Sequence, residues 1–347
     1  MSLMTKTRVA LQSPFWRLKG MQLMRFESFS VTKRSHEQMN PSTALPFDAI
    51  PGPTPLENIV RYIWGGVRDY HVFLEKNFQK YGPIFKYVMP GVNVVHVCDP
   101  NDIERVFRNE GYPASRGDLL KSATYYREKG LPTSFSGQDE SWHVHRSAFA
   151  PKLLPPRALK PFFAEQCNVA DDTIVNFKDG RNPDISDQLA KLAMENMAVK
   201  IFGVRLGLTG ASPDPNAREF TDAVFGHFTA QSKLLFSIPF HEYFKTPTLK
   251  ELHRCLDKEF EMTDHFIKNA SQMRTPLPAL ASKCLVHRLA EEDKISPEEI
   301  FIISESALSG GVHTTFSSLI ILLHALGKQP EAQQKIYDEI QRVLQGK

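Results

Sequence analysis

The sequence is poor in cysteine, and the few it has are scattered. Cys98, Cys167, Cys255 and Cys284 are the only four in 347 residues. No two are spaced as a CxxC metal site or redox pair, so they read as free thiols in a reducing compartment. There is no HExxH motif and no Cys/His cluster. His143, His145 and His313 do not form a ligand pattern, and no metal site is expected. No run of about 18 consecutive apolar residues occurs, so no membrane-crossing helix is expected. The formal charge of +3 gives no basis for nucleic-acid binding. Internal repeats and low-complexity tracts are also missing. What is present is ordinary for a globular chain: 41% hydrophobic and 23% charged residues, enough for a sizeable core.

Acids are missing from one stretch in particular. Before Glu27 the chain carries Lys6, Arg8, Arg17, Lys19 and Arg25, with Leu11, Phe15, Trp16, Leu18, Met21 and Leu23 among them. A basic, acid-free, amphipathic leader is the composition of a mitochondrial transit peptide, and equally that of a disordered tail. Residues 1–45 are therefore expected to be a leader and residues 46–347 the folded domain.

The domain opens on Pro46, Pro51, Pro53 and Pro55, a segment that cannot be helical. A helical stretch follows from about Asn58 to Lys80. Two strands, Ile84 to Met89 and Val92 to Val97, flank the turn signal Pro90-Gly91 and predict a hairpin. Asp99 caps a helix through about Glu110. From Phe162 onward the pattern is helical, interrupted at Pro213, Pro215, Pro239, Pro247, Pro276 and Pro278. One small strand pair among many helices predicts a mainly α protein with a small β-sheet.

Ser296-Pro297-Glu298-Glu299 is the strongest helix start: a serine cap, proline in the first turn, and a glutamate able to reach back to the cap. No proline follows until Pro330, so the helix can run about 30 residues, or ~45 Å. Its middle holds Gly310 and Gly311, which together cost about 2 kcal/mol relative to alanine. Either another helix crosses there, or the glycines and the neighbouring threonines open a groove.

The segment Gly310-Gly311-Val312-His313-Thr314-Thr315 resembles the oxygen-binding groove in the central I helix of the cytochrome P-450 family. Other segments agree, in order. Ile50-Pro51-Gly52-Pro53 resembles the family's proline-rich hinge, and Tyr81-Gly82-Pro83-Ile84-Phe85 the start of its first sheet. Trp142-His143-Val144-His145-Arg146 fits the WxxxR of its C helix. Gly111-Tyr112-Pro113, Arg116, Gly130-Leu131 and the segment from Pro239 to Pro247 resemble the mitochondrial branch. Pro330 to Leu344 resembles the J helix. The likeness covers about Leu45 to the last residue.

The resemblance implies a haem-dependent monooxygenase acting on a lipophilic, sterol-like substrate, with electrons from a ferredoxin-type donor. It implies a place on the matrix side of the inner mitochondrial membrane. Arg146 and Trp142 would hold a haem propionate, Gly310 and Gly311 would leave room beside the cofactor, and Thr314, with Thr315 beside it, would deliver protons. His313 stands where the family has an acid; it is either a proton relay or a bystander. Phe225, Phe228, Leu234, Leu235, Phe236 and Ile238 are either core or channel wall. The K helix with its ExxR pair, the later strands and the cysteine loop that supplies the axial thiolate do not occur in these residues. Glu251 to Arg254 and Glu339 to Arg342 match ExxR only as surface helix charges. The expectation is thus a partial, truncated P-450 fold that is inactive as it stands; the other reading is a non-catalytic isoform or gene-model fragment that at most binds lipid or a partner.

Overall fold

The computed structural model describes residues 46–65, 70–89, 92–110, 120–133, 139–178, 184–210, 215–235, 239–271 and 277–344. The leader expected over residues 1–45 lies outside these, as do Pro90-Gly91, Gly111-Tyr112-Pro113, Arg116, Phe236 and Ile238.

Helices α1 (Pro55–Gly65) and α2 (Tyr70–Tyr81) come first, then strands β1 (Ile84–Met89) and β2 (Val92–Val97). These two helices occupy the helical stretch expected from about Asn58 to Lys80; residues 66–69 between them lie outside the described residues. Helices α3 (Pro100–Asn109), α4 (Lys121–Glu128), α5 (Asp139–Leu153), α6 (Pro156–Leu159), α7 (Phe163–Lys178) and α8 (Ile185–Phe202) follow. The chain continues through α9 (Pro215–Leu235), α10 (Pro247–Ser271), α11 (Pro278–Ala281), α12 (Leu285–Ala290), α13 (Pro297–Gly327) and α14 (Pro330–Leu344).

The hairpin has the expected bounds, pairing Ile84 with Val97 and Met89 with Val92 in antiparallel register. Alternation puts Phe85 and Tyr87 on the buried face, where they meet Phe73 of α2. The Asn58 side chain of α1 donates to the Val88 carbonyl at 2.9 Å, fastening helix to strand. Asp99 caps α3 by accepting from the Asn101 and Asp102 amides.

The main core lies elsewhere, between α8 and α13. Met194, Met197, Ala198, Ile201 and Phe202 of α8 are buried against Ile303, Ala307, Leu308 and Val312 of α13, with α5, α9, α10 and α12 around them. Burial of this order stabilises by about 1.5–3 kcal/mol per large apolar side chain. By length and apolar content α13 could cross a membrane. Yet Glu305 and Ser309 in its middle are buried and hydrogen-bonded to α4 and α10, which places that part of it in a protein core.

The start of α13 fixes its direction. Ser296 Oγ accepts from the Glu299 amide at 3.1 Å, and Glu299 accepts from the Ser296 amide at 2.8 Å. Glu299 Oε1 also lies 3.2 Å from His145 Nε2 of α5. Burial alone would raise the Glu299 carboxyl; the Ser296 amide and His145 outweigh it and hold it below its ordinary value. That contribution is present at neutral pH and is lost as pH falls through the folded value. Ser296→Ala is expected to lower the unfolding free energy by about 1 kcal/mol in urea titrations. Glu299→Gln should lose less stability on acidification than the unaltered protein does.

Candidate functional site

Along α13 the environment changes from dry core to open face. Ile302 through Ser309 are all buried. At Gly310 one side opens: a Cβ built there would meet nothing within 4 Å. Gly311 is different. A Cβ there would lie 2.6 Å from Met197 Sδ and would overlap its Cε, so Gly311 marks the close approach of α8. The two glycines thus divide the two readings between them, one at a helix crossing and one on an open side.

Thr314 and Thr315 are exposed. Thr314 Oγ1 donates to the Gly310 carbonyl at 2.7 Å, the back-bond a threonine makes to the preceding turn. The α conformation continues unbroken from Pro297 to Gly327, so this bond supplements the helical ladder without opening it.

Helix α5 carries the other candidate pair. Trp142 is half-buried and Arg146 exposed. The Arg146 guanidinium lies 5.2 Å from the Phe149 ring centroid, and it makes no ion pair among the described residues. His145 between them is buried and joins Glu299, which ties this turn of α5 to the start of α13. The far end of α5 is held by Arg288, which donates to the Lys152 carbonyl at 2.8 Å, and by the Lys152–Glu292 ion pair. With no ion pair among the described residues, the Arg146 guanidinium is available to a carboxylate arm, on a helix tied to the one that carries Gly310. A haem therefore fits the residues present.

His313 is half-buried and stacked on Phe228, with centroids 4.4 Å apart and planes at 16°; Phe225 lies 5.7 Å away. Burial, and then the nearby His227, lower its pKa, so the ring is neutral at pH 7. Phe225 and Phe228 are partly buried against the core, and Leu234 is buried.

A second group of polar residues was not singled out by motif. Glu305, Ser306 and Ser309 of α13 meet His227 of α9, Glu259 of α10 and Tyr126 of α4, all buried. Tyr126 and Ser306 hydroxyls donate to Glu305 Oε2 at 3.1 Å each. Ser309 Oγ donates to Glu259 Oε2 at 2.5 Å and lies 3.2 Å from Glu305 Oε1. His227 Nδ1 is 3.1 Å from Glu259 Oε1. Burial, and next the Glu259 carboxylate, push Glu305 up to about 8. Burial would lower His227, but Glu259 outweighs it and raises the imidazole. The one sequence signal was an acid in the apolar run Phe301 to Leu308; its partners come from other helices.

The family model for cytochrome P450 matches residues 50–347. This chain belongs to the cytochrome P450 family. It is 27% identical to "Probable cytochrome P450 12d1 distal, mitochondrial" of Drosophila melanogaster, over 91% of this chain and 65% of that protein. It is 26% identical to the "Cholesterol side-chain cleavage enzyme, mitochondrial" of Sus scrofa, over 86% of this chain and 60% of the relative. It is 24% identical to "1,25-dihydroxyvitamin D(3) 24-hydroxylase, mitochondrial" of Rattus norvegicus, over 85% and 59% respectively. The P450 chain thus spans about 65% of the length of the first of these relatives.

The glycine pair separates fold from site by mutation. Gly311→Ala must displace buried Met197 and is expected to cost about 1–3 kcal/mol. Gly310→Ala meets open space and should raise stability by up to about 1 kcal/mol, the helix-propensity gain. Denaturant unfolding of the two variants checks the opposite signs.

Proposed function

We propose that these residues form the distal part of a mitochondrial monooxygenase that hydroxylates a lipophilic, sterol-like substrate. The observation that carries this reading is the open side of α13 at Gly310 and Thr314, with Arg146 on α5 making no ion pair among the described residues, in a chain of the cytochrome P450 family. The sterol class rests on relatives whose names give cholesterol side-chain cleavage and vitamin D hydroxylation. Electrons would come from a ferredoxin-type donor, on the matrix side of the inner mitochondrial membrane, by analogy with mitochondrial relatives. The leader over residues 1–45 and the domain over 46–347 are parts of the same reading.

Haem, when bound, supplies the iron centre at which dioxygen is reduced and one oxygen atom is passed to substrate. The residues of this chain have narrower tasks. Arg146 would pair with a propionate through its fixed fork of donors, and Trp142 would buttress the same edge. Gly310 keeps space where any side chain would intrude. Thr314 Oγ1 holds a proton donor at the exposed rim, at present directed to the Gly310 carbonyl. Thr315, exposed beside it, is available to solvent. Gly311 serves α8 packing instead. His313 is neutral and clamped by Phe228, which favours a packing role over proton relay.

None of the four cysteines is suited to ligate iron. Cys255 is buried beside Glu251, and burial pushes its thiol up to about 12. Cys284 donates to the Ala281 carbonyl at 3.1 Å, and Cys98 and Cys167 are exposed, Cys98 just after β2 and Cys167 on α7. We infer that a polypeptide of only these 347 residues would lack the axial thiolate that favours O–O cleavage. Such a polypeptide would at most bind lipid or a partner.

The test is a carbon-monoxide difference spectrum of the reduced protein with haem added. A polypeptide of these residues alone should show no red-shifted, thiolate-type Soret band, whereas the same residues extended by the family's cysteine loop should. A thiolate-type band from these residues alone would overturn the inference. In the extended protein, Arg146→Ala should weaken haem retention, and Thr314→Ala should cut product formed per NADPH by roughly tenfold or more, with peroxide released instead. Gly310→Ala should lower turnover although it stabilises the fold. Unchanged coupling in Thr314→Ala would remove that residue from the reading.

A further inference from the structure

The group formed by His227, Glu259 and Glu305 has no part in the function proposed above. Three helices, α9, α10 and α13, each contribute one of these side chains. One ligand-type atom from each lies within 4.8 Å of the others, with all three residues buried. Two carboxylates this close repel one another when ionised, and taking them out of water costs several kcal/mol apiece. A single divalent cation cancels both charges at once. An imidazole and two carboxylates are the N/O donors that a zinc-like cation accepts.

The surroundings point the same way. Glu305 Oε2 already accepts from Tyr126 and Ser306, the kind of outer hydrogen bonding that orients a ligating carboxylate. Ser309 Oγ sits between the two acids, at 2.5 Å from Glu259 and 3.2 Å from Glu305. A second observation is independent of the acids. Thr263 Oγ1, Gln231 Nε2 and Ser304 Oγ are buried side-chain atoms with no hydrogen-bond partner. Thr263 is one turn beyond Glu259 on the same face of α10. Gln231, one turn beyond His227 on α9, accepts from the Ser122 amide of α4 at 3.0 Å through its Oε1, and Ser304 precedes Glu305 on a different face of α13. Thr263 and Ser304 are 0% exposed and Gln231 6%, so bulk water does not satisfy them. A buried Thr263 hydroxyl left without a partner one turn from Glu259 calls for a small polar occupant, and a cation carrying a water molecule provides one.

We propose that His227, Glu259 and Glu305 form a buried structural site for a zinc-class divalent cation, which staples α9 and α10 to the central helix. No catalytic step is assigned to it, because the site is enclosed and lies in the buried half of α13. Its role is to bridge the two acids in place of a shared proton, adding the metal's binding free energy to folding.

The experiment uses the purified protein, stripped with a chelator and titrated with Zn²⁺ or Co²⁺ alone. The expected result is one equivalent bound per chain, by elemental analysis, with a rise in melting temperature. Glu305→Gln and His227→Gln should each weaken uptake by about tenfold or more and make the melting temperature insensitive to metal. Should those variants not fold, X-ray absorption of the Co²⁺ form of the unaltered protein decides the matter. One imidazole with otherwise oxygen ligands supports the site. Several imidazoles or any sulfur ligand would mean that metal collects on other histidines or cysteines only, and would overturn it. So would no uptake at micromolar metal, or an equal melting shift in parent and variant, which leaves the cluster as a proton-sharing network.

Discussion

The contact on which the arrangement turns is the approach of α8 to α13 at Gly311. Met197 occupies the volume that a side chain there would need. This contact comes where the buried stretch Ile302 to Ser309 of α13 has just ended. Before it, every side chain from Ile302 to Ser309 is enclosed; just beyond it, Thr314 and Thr315 are exposed. Interiors packed at crystal-like density transmit displacement, so the positions of Gly310 and Thr314 are set by how Met197 seats. A site residue and a packing residue are therefore adjacent in sequence, with opposite tolerances for an added methyl group.

The same helix must also carry polar groups through its dry half. An acid in an apolar run is tolerated only if its oxygens are met. Both Glu305 oxygens are met, by Tyr126, Ser306 and Ser309, and each of those hydroxyls comes from a different position on the wall around it. Specificity follows from this. Sliding α10 or α4 along α13 by one turn would leave at least one buried carboxylate unmatched, a penalty larger than the loss of an ordinary apolar contact. The polar cluster thus fixes the register of four helices more sharply than leucines and phenylalanines could, whichever occupant balances its charge.

Legibility from sequence followed how local each feature is. The hairpin bounds, the Asp99 cap, the capping box at Ser296 and the start of α14 at Pro330 all matched, because turn and cap chemistry involve residues within four positions of one another. The family was legible from the order of several weak motifs. What could not be read were facts belonging to two or more helices. Whether Gly310 or Gly311 faces open space depends on Met197, far away in the chain. His227 and Glu259 are 32 residues apart, and Ser309 and Glu259 are 50 apart, with no spacing rule to connect them.

His313 shows how these levels meet. In the family pattern the residue before the threonine is an acid, and an acid needs either solvent or a cation beside it. Here that position is packed between Phe225 and Phe228, with His227 behind, so a carboxylate would be desolvated against aromatic faces. A neutral imidazole suits the place: it stacks on Phe228 and needs no counter-ion. The acid absent from position 313 has a counterpart two turns earlier in Glu305, whose oxygens Tyr126 and the serines meet. The departure at His313 and the buried acid at Glu305 are accordingly two consequences of one arrangement. The α9 face of α13 is aromatic where it nears the open side and polar where it is sealed.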